Sequence, residues 1–461
     1  MTDIVCISPV DGKELVRRPA ASDAAIEAAL AQARSAQKEW RKLSVAERSA
    51  YVLKFLDCML AMNQEVVPEL AEQMGRPVRY GGEFRGFEER VRYMVRIAEQ
   101  SLAPTIPDDA RPGFKRMIKR EPLGLVFVIA PWNYPFMTAV NTVAPALIAG
   151  NAVLLKHASQ TILVGERFQK AMDQAGLPKG VFQNIVLTHD QTTKLLASGR
   201  VDHTNFTGSV AGGQAIERAA AGTFMSLGLE LGGKDPAYVR ADADVANAIE
   251  NLVDGAFFNS GQCCCGIERI YVHESHYDRF VDGFVGLTRQ YVLGNPLDEK
   301  TTLGPMANVR FADWVRKQTA EALAKGAKAH IDTAAHGADT GNTAYLAPQV
   351  LTNVDHSMSV MKDESFGPVV GIMKVASDEE AVRLMNDSPY GLTAAIWTQD
   401  MDAAERIGGQ IETGTVFMNR CDYLDPGLTW TGVKDTGRGT GLSRLGYDAL
   451  TQPKSYHLRA L

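Results

Sequence analysis

The 461-residue chain reads as an α/β protein built on parallel, doubly wound sheets. Three observations predict this. From residue 123 short apolar runs alternate with stretches of helical length and period. After residue 231 a second series of the same kind begins. With 45% apolar and 22% charged residues, the composition suffices for a large core in two or three domains.

The elements follow in order. "SDAAIEAALAQARSAQKEW" opens on a Ser/Asp cap and repeats Ile26, Leu30 and Ala33 at helical spacing. Two more helices run to Gly75, whose lack of a Cβ suits a C-cap. "GGEFRGFEERVRYMVRIAEQS" is a fourth, with Phe87, Val91, Met94 and Val95 on one face. Next, "GLVFVIA", "NAVLLKH", "VFQNIVL", "HTNFTGS" and "SLGLELGG" are strands, separated by helices that make them parallel. In the second series "DVANAIENLVDGAFFNSG" is a helix and "RIYVHE" a strand, and the alternation continues through "PVVGIMKV" and "TAAIWTQ". "GFKRMIKREP" and the tail "YDALTQPKSYHLRAL" read as edge strands that a partner subunit can cover.

Charge and hydropathy exclude several functions. A net charge of −6 and no Lys/Arg run argue against nucleic acid as a partner. No stretch of about 18 apolar residues is present to cross a membrane. The start "MTDIVCISPVDGKELV" lacks a basic segment leading into an apolar one, so the expected location is cytoplasmic. A reducing cytosol leaves thiols free.

Doubly wound sheets bind ligands at the carboxyl ends of their strands, so the strand-to-helix turns come next. "VIAPWNYPF" places Trp132 and Asn133 there; the Asn amide can donate hydrogen bonds or simply form the turn. "LLKHASQT" ends a strand on Lys156, a cation suited to ribose hydroxyls or phosphate, and offers Ser159 as the next helix cap. "NFTGSVAGGQA" leads through Gly208 and Ser209 to Gly212 and Gly213, and a helix N-terminus of this kind suits a pyrophosphate. "LELGGKDP" sets Glu230 at an apolar strand end, where a carboxylate is either held by a structural partner or works as a base.

"FFNSGQCCCGIER" puts half of the six cysteines side by side. Adjacent cysteines lack the C-x-x-C spacing that lets two sulfurs reach one metal, so no metal site is expected. If "QCCC" is extended, Cys264 faces one way and Cys263 and Cys265 the other. A cysteine in such a connection serves equally as a small buried hydrophobe.

Together the motifs resemble the aldehyde dehydrogenase superfamily along nearly the whole chain. "FFNSGQCC" matches its cysteine signature, "LELGGKDP" its glutamate signature, and "PWNYP", "FTGS" and "ESFGP" occur in the family's order. The resemblance implies that Cys264 is the nucleophile. Asn133 and the Cys264 N–H would hold the oxyanion, and Glu230 would be the general base. It further implies that Trp132, Lys156, Gly208, Ser209 and Gly213 meet the adenosine ribose and pyrophosphate of NADP or NAD, while Glu364 and Phe366 hold the nicotinamide ribose. NAD-specific relatives carry a glutamate three residues after the lysine; Ser159 stands there, so NADP is expected to be accepted or preferred, with NAD also used.

The family's architecture implies two doubly wound parallel-sheet domains plus a small β oligomerisation element. Residues 1–106 and 124–231 would form the dinucleotide-binding domain, 232–434 the catalytic domain, and 107–123 with 435–461 the oligomerisation element of a homodimer or homotetramer. The small-molecule aldehyde is expected to be aliphatic or aromatic. One group of succinate-semialdehyde enzymes carries an arginine before "NSGQ" where this chain has Phe258, though the chain also resembles that class. Alternatives are a semialdehyde dehydrogenase, a CoA-acylating dehydrogenase, which commonly lacks the glutamate, a thiol hydrolase, or an idle binding protein on the same fold.

Overall fold

A computed structural model describes residues 2–460. Two parallel sheets, each wrapped in helices, stand behind the expected α/β architecture. The first has six strands, in the order Gly437–Arg438, Ser226–Glu230, His203–Thr207, Leu125–Ile129, Ala152–Lys156 and Phe182–Asn184. All but Gly437–Arg438 run parallel. The chain starts this sheet at Leu125–Ile129, winds outward to one side, then returns to place His203–Thr207 on the other. That reversal opens a crevice between the ends of these two strands, directly above Asn133 and Gly208.

The apolar runs are continuous because both faces are covered. Along Leu125–Ile129, Val126 and Val128 pack under helices Val45–Leu60, Phe84–Leu102 and Pro135–Ala149. Leu125, Phe127 and Ile129 point to the opposite core, with Leu30 and Ala33. Helix Asp23–Trp40 starts where Ser22 accepts from the Ala25 N–H, and helix Asn63–Met74 stops at Gly75 in a left-handed conformation. Each was legible from its end residues.

The second sheet has seven strands, in the order Lys328–Ala329, Gln349–Thr352, Val369–Val375, Ile267–His273, Asp235–Val239, Thr393–Trp397 and Thr415–Met418. Asp235–Val239 opens on Asp-Pro, a turn signal, which hid it in the sequence. Helices Val309–Ala324 and Met401–Gly408 were likewise not read.

Thr451–Arg459 pairs antiparallel with Phe114–Pro122 along its whole length, as two separate edge readings allowed. The boundary at 435 needs correction. Gly437–Arg438 is hydrogen-bonded to Glu230 and Leu229 of the first sheet. Helix Ser443–Ala449 is bound to the first domain by the Tyr447 hydroxyl, which donates to the Met94 carbonyl at 2.8 Å. Thr451–Arg459 and Phe114–Pro122 form a two-stranded arm of their own.

Candidate active site

The cysteines sit where the second domain meets the first. After helix Val245–Phe257 the chain turns through Asn259, Ser260 and Gly261, with φ of 53°, 57° and 70°. Such a run of left-handed residues costs of order 1–3 kcal/mol per non-glycine residue and persists only where surroundings hold it. Here the Asn259 amide donates to the Asn133 and Gln262 carbonyls at 3.2 Å each. A side chain at Gly261 would lie 2.4 Å from the Gly367 carbonyl, so glycine is required.

Cys263 to Gly266 then form a tight turn, closed by the Gly266 N–H on the Cys263 carbonyl at 3.2 Å. This corrects the extended reading: the thiols do not alternate between faces. All three Sγ atoms lie within 4.8 Å of one another, a convergence that the spacing argument against a shared site did not foresee. Cys263 and Cys265 are buried, and both donate to Asp422 Oδ1, at 2.9 and 3.0 Å. Cys264 alone is half-buried. The adjacent thiols of Cys263 and then Cys265 lower its proton affinity, which favours thiolate nearer neutrality. Cys263 is correspondingly pushed up to about 12, chiefly by the neighbouring Cys264. Burial and then the adjacent thiol push Asp422 well above the usual carboxylate range. Its partnership with two thiols, 159 and 157 positions away, left no trace in the sequence.

Cys264 opens into a cavity of ≈ 220 Å³ that Glu230 also lines. Glu230 ends its strand with Oε2 accepting from the Thr207 hydroxyl at 3.2 Å. Burial raises its carboxyl to about 7, so the group exchanges protons at working pH.

Asn133 is 4% exposed and donates to the Gln262 carbonyl at 3.3 Å, which places its amide beside the cysteine turn rather than free in the crevice. The Asn133 carbonyl is held by Arg76, whose guanidinium donates to it at 2.6 Å, to Asn259 Oδ1 at 3.2 Å and to Glu83 at 2.8 Å. Glu83 in turn accepts the Phe136 and Met137 N–H groups at the start of helix Pro135–Ala149. This buried pair fixes Asn133 and was missed, because Arg76 precedes it by 57 positions with no local motif.

The residues expected at the cofactor fall in the turns after Leu125–Ile129, Ala152–Lys156 and His203–Thr207 and in the loop before Val369–Val375. Lys156 is buried without an ion pair; its ammonium reaches only the His157 carbonyl at 3.5 Å, and burial lowers it to about 8. Ser159 is exposed at the start of a single 3-10 turn and makes no cap bond, contrary to expectation. Ser209 caps helix Val210–Ala220 by accepting from the Gly212 N–H. A Cβ on Gly208 or Gly212 would strike the Phe206 ring, and one on Gly213 would strike Leu231, so glycine lets these side chains pack directly on the helix start. Glu364 accepts from the Gly233 N–H at 3.0 Å, and burial raises it to about 8. Glu268 holds this loop through the Ser365 and Phe366 N–H groups and through Lys234. Trp132 packs edge-on against Phe366 at 5.6 Å and stacks on Phe311 at 5.2 Å. A buried ammonium with no ion pair among the described residues, an exposed hydroxyl and a helix N-terminus fit a phosphorylated dinucleotide.

Residues 1–456 match the profile of the Aldehyde dehydrogenase family. An aldehyde dehydrogenase of Paenarthrobacter nicotinovorans is 34% identical, over 96% of this chain and 97% of its own length. A succinate-semialdehyde dehydrogenase [NADP(+)] of Mycobacterium avium is 32% identical over 98% and 96% of the two chains. The crystal structure of succinate-semialdehyde dehydrogenase from Burkholderia pseudomallei superposes with a TM-score of 0.94 at 29% identity, covering 100% and 95%. The chain belongs to the aldehyde dehydrogenase family and is an NAD(P)-dependent oxidoreductase that acts on aldehydes.

Proposed function

We propose that Cys264 carries out the oxidation of an aldehyde to its carboxylic acid. The observation that supports this most is that Cys264 and Glu230, from different domains, line one cavity with their proton affinities drawn toward neutrality from opposite sides. The Cys264 thiolate adds to the aldehyde carbon. The Asn133 amide and the Cys264 N–H donate to the oxyanion as it forms. NADP or NAD would be held by Trp132, Lys156, Ser159, Gly208, Ser209 and Gly213 at its adenosine and pyrophosphate end and by Glu364 and Phe366 at the nicotinamide ribose, and would accept the hydride that this carbon releases. The carbon is then a thioester on Cys264. Glu230 takes a proton from water, hydroxide attacks the thioester, and the acid leaves as the thiolate is restored.

Ser159 favours NADP, since a carboxylate there would repel a 2′-phosphate and a hydroxyl does not. A relative named for NADP(+) points the same way. Glu230 disfavours transfer of the acyl group to CoA. We place the enzyme in the cytoplasm, where its six free cysteines stay reduced. No helix of the described residues is long and apolar enough to cross a membrane. The arm of Phe114–Pro122 and Thr451–Arg459 is read as the dimer or tetramer contact. Initial rates of reduced-nicotinamide formation, with aldehyde and either cofactor but no CoA, test the function. Turnover is expected; activity only after CoA is added would overturn it.

A further inference from the structure

Four arginines are buried, and three have conventional partners. Arg48 donates to the Ile148 and Leu43 carbonyls, and Arg269 to those of Lys234, Leu384 and Met385. Arg76 is paired with Glu83. The fourth, Arg90 on helix Phe84–Leu102, is 8% exposed and makes no hydrogen bond or ion pair among the described residues.

Its neighbours do not supply a partner. Glu83 has both oxygens occupied, by Arg76 and by the Phe136 and Met137 N–H groups. Asp422 Oδ1 receives two thiols, and Glu89 accepts from the Tyr423 hydroxyl at 2.8 Å. Glu230 acts on Arg90 through its charge without touching it. Yet Arg90 lines the cavity of Cys264, where it is the one cation among the lining residues, and none of its nitrogens is sealed from that space. A guanidinium presents a planar fork of donors that matches a carboxylate. At 8% exposure it keeps little water, so leaving it unpaired is costly, and an arriving anion removes the cost.

We propose that Arg90 anchors a carboxylate at the far end of the substrate, so that the enzyme's aldehydes are short aliphatic ω-oxo acids. This rests on the reading of Cys264 as the nucleophile. Met137, Phe258, Leu424 and Trp430 give the intervening chain apolar walls, and a cavity of ≈ 220 Å³ holds only a small molecule. Phe258 occupies the position where one semialdehyde group carries its arginine; here a different helix delivers the charge to the same cavity.

The test compares succinate semialdehyde with butanal in the wild-type enzyme, Arg90→Met and Arg90→Lys, with binding of succinate followed by calorimetry. The wild type is expected to prefer the acid aldehyde. Arg90→Met should lose about 100-fold in kcat/KM for it, mostly through KM, as expected for removal of one member of a desolvated charge pair. Butanal turnover should stay within about threefold, and Arg90→Lys should recover part of the loss. Succinate should bind the wild type and not Arg90→Met, a readout that stands even if no aldehyde is oxidised. Equal losses on both aldehydes, assigning the charge to Cys264 or Glu230, would overturn the proposal, as would equal succinate binding. Absence of all turnover with succinate binding intact would overturn only the oxidation.

Discussion

Glu230 shows how one residue sets a conflict between stability and catalysis. A carboxyl ordinarily near 4.5 is held at about 7 by burial. Its folded-state affinity for the proton is therefore raised, so its favourable contribution is complete below about pH 4.5 and is lost as pH rises through about 7. Glu230→Gln removes that loss. Calorimetry should give the variant a higher Tm than wild type at pH 8 and a similar one at pH 5. An equal or lower Tm at pH 8 would mean that the ionised carboxylate is well accommodated. The base form needed for thioester hydrolysis exists above the same value, so turnover should decline as pH falls through about 7. The cysteine turn makes a second point at this scale. Alternation along "CCC" is a sound inference only for an extended chain, and the Gly266 N–H closes a turn instead. What the sequence could not show is the bond, not the residues.

At the scale of elements, the sites at strand ends were legible because a buried strand, a turn and a helix leave a strong periodic signature. The turns after Leu125–Ile129, Ala152–Lys156 and His203–Thr207 all carry the residues expected of them. Ser159 at the second turn can be tested alone, since its hydroxyl holds nothing in the fold. Ser159→Glu should lower kcat/KM with NADP by about 100-fold through like-charge repulsion, and leave NAD within about threefold. Matched steady-state rates check this; equal effects on both cofactors would remove Ser159 from the 2′-phosphate site. The supports of the site were not legible. Arg76 meets Asn133 across 57 positions, and Asp422 meets Cys263 across 159. Such contacts arise from the packing of whole elements, and no local period announces them. Arg90 is hidden for the same reason, inside a helix whose stripe reads as ordinary core.

On the scale of the whole molecule, the carboxyl ends of the first sheet's strands face the amino ends of the second's, because Cys264 precedes Ile267–His273 whereas Glu230 ends Ser226–Glu230. The arm lies apart from this junction and exposes Ile118 (37%) and Leu458 (51%) on its paired strands. Ile118→Asp with Leu458→Asp should lower the oligomer to monomers in light scattering after gel filtration; an unchanged mass would place the subunit contact elsewhere. Trapping the acyl group shows whether the two sheets bring Cys264 and Glu230 to one substrate. Glu230→Gln would be mixed with aldehyde and NADP, quenched in acid, and mapped by mass spectrometry. One acyl adduct per chain, confined to Cys264, is predicted. No adduct, or an adduct on Cys263 or Cys265, would mean that Cys264 is not the nucleophile served by Glu230.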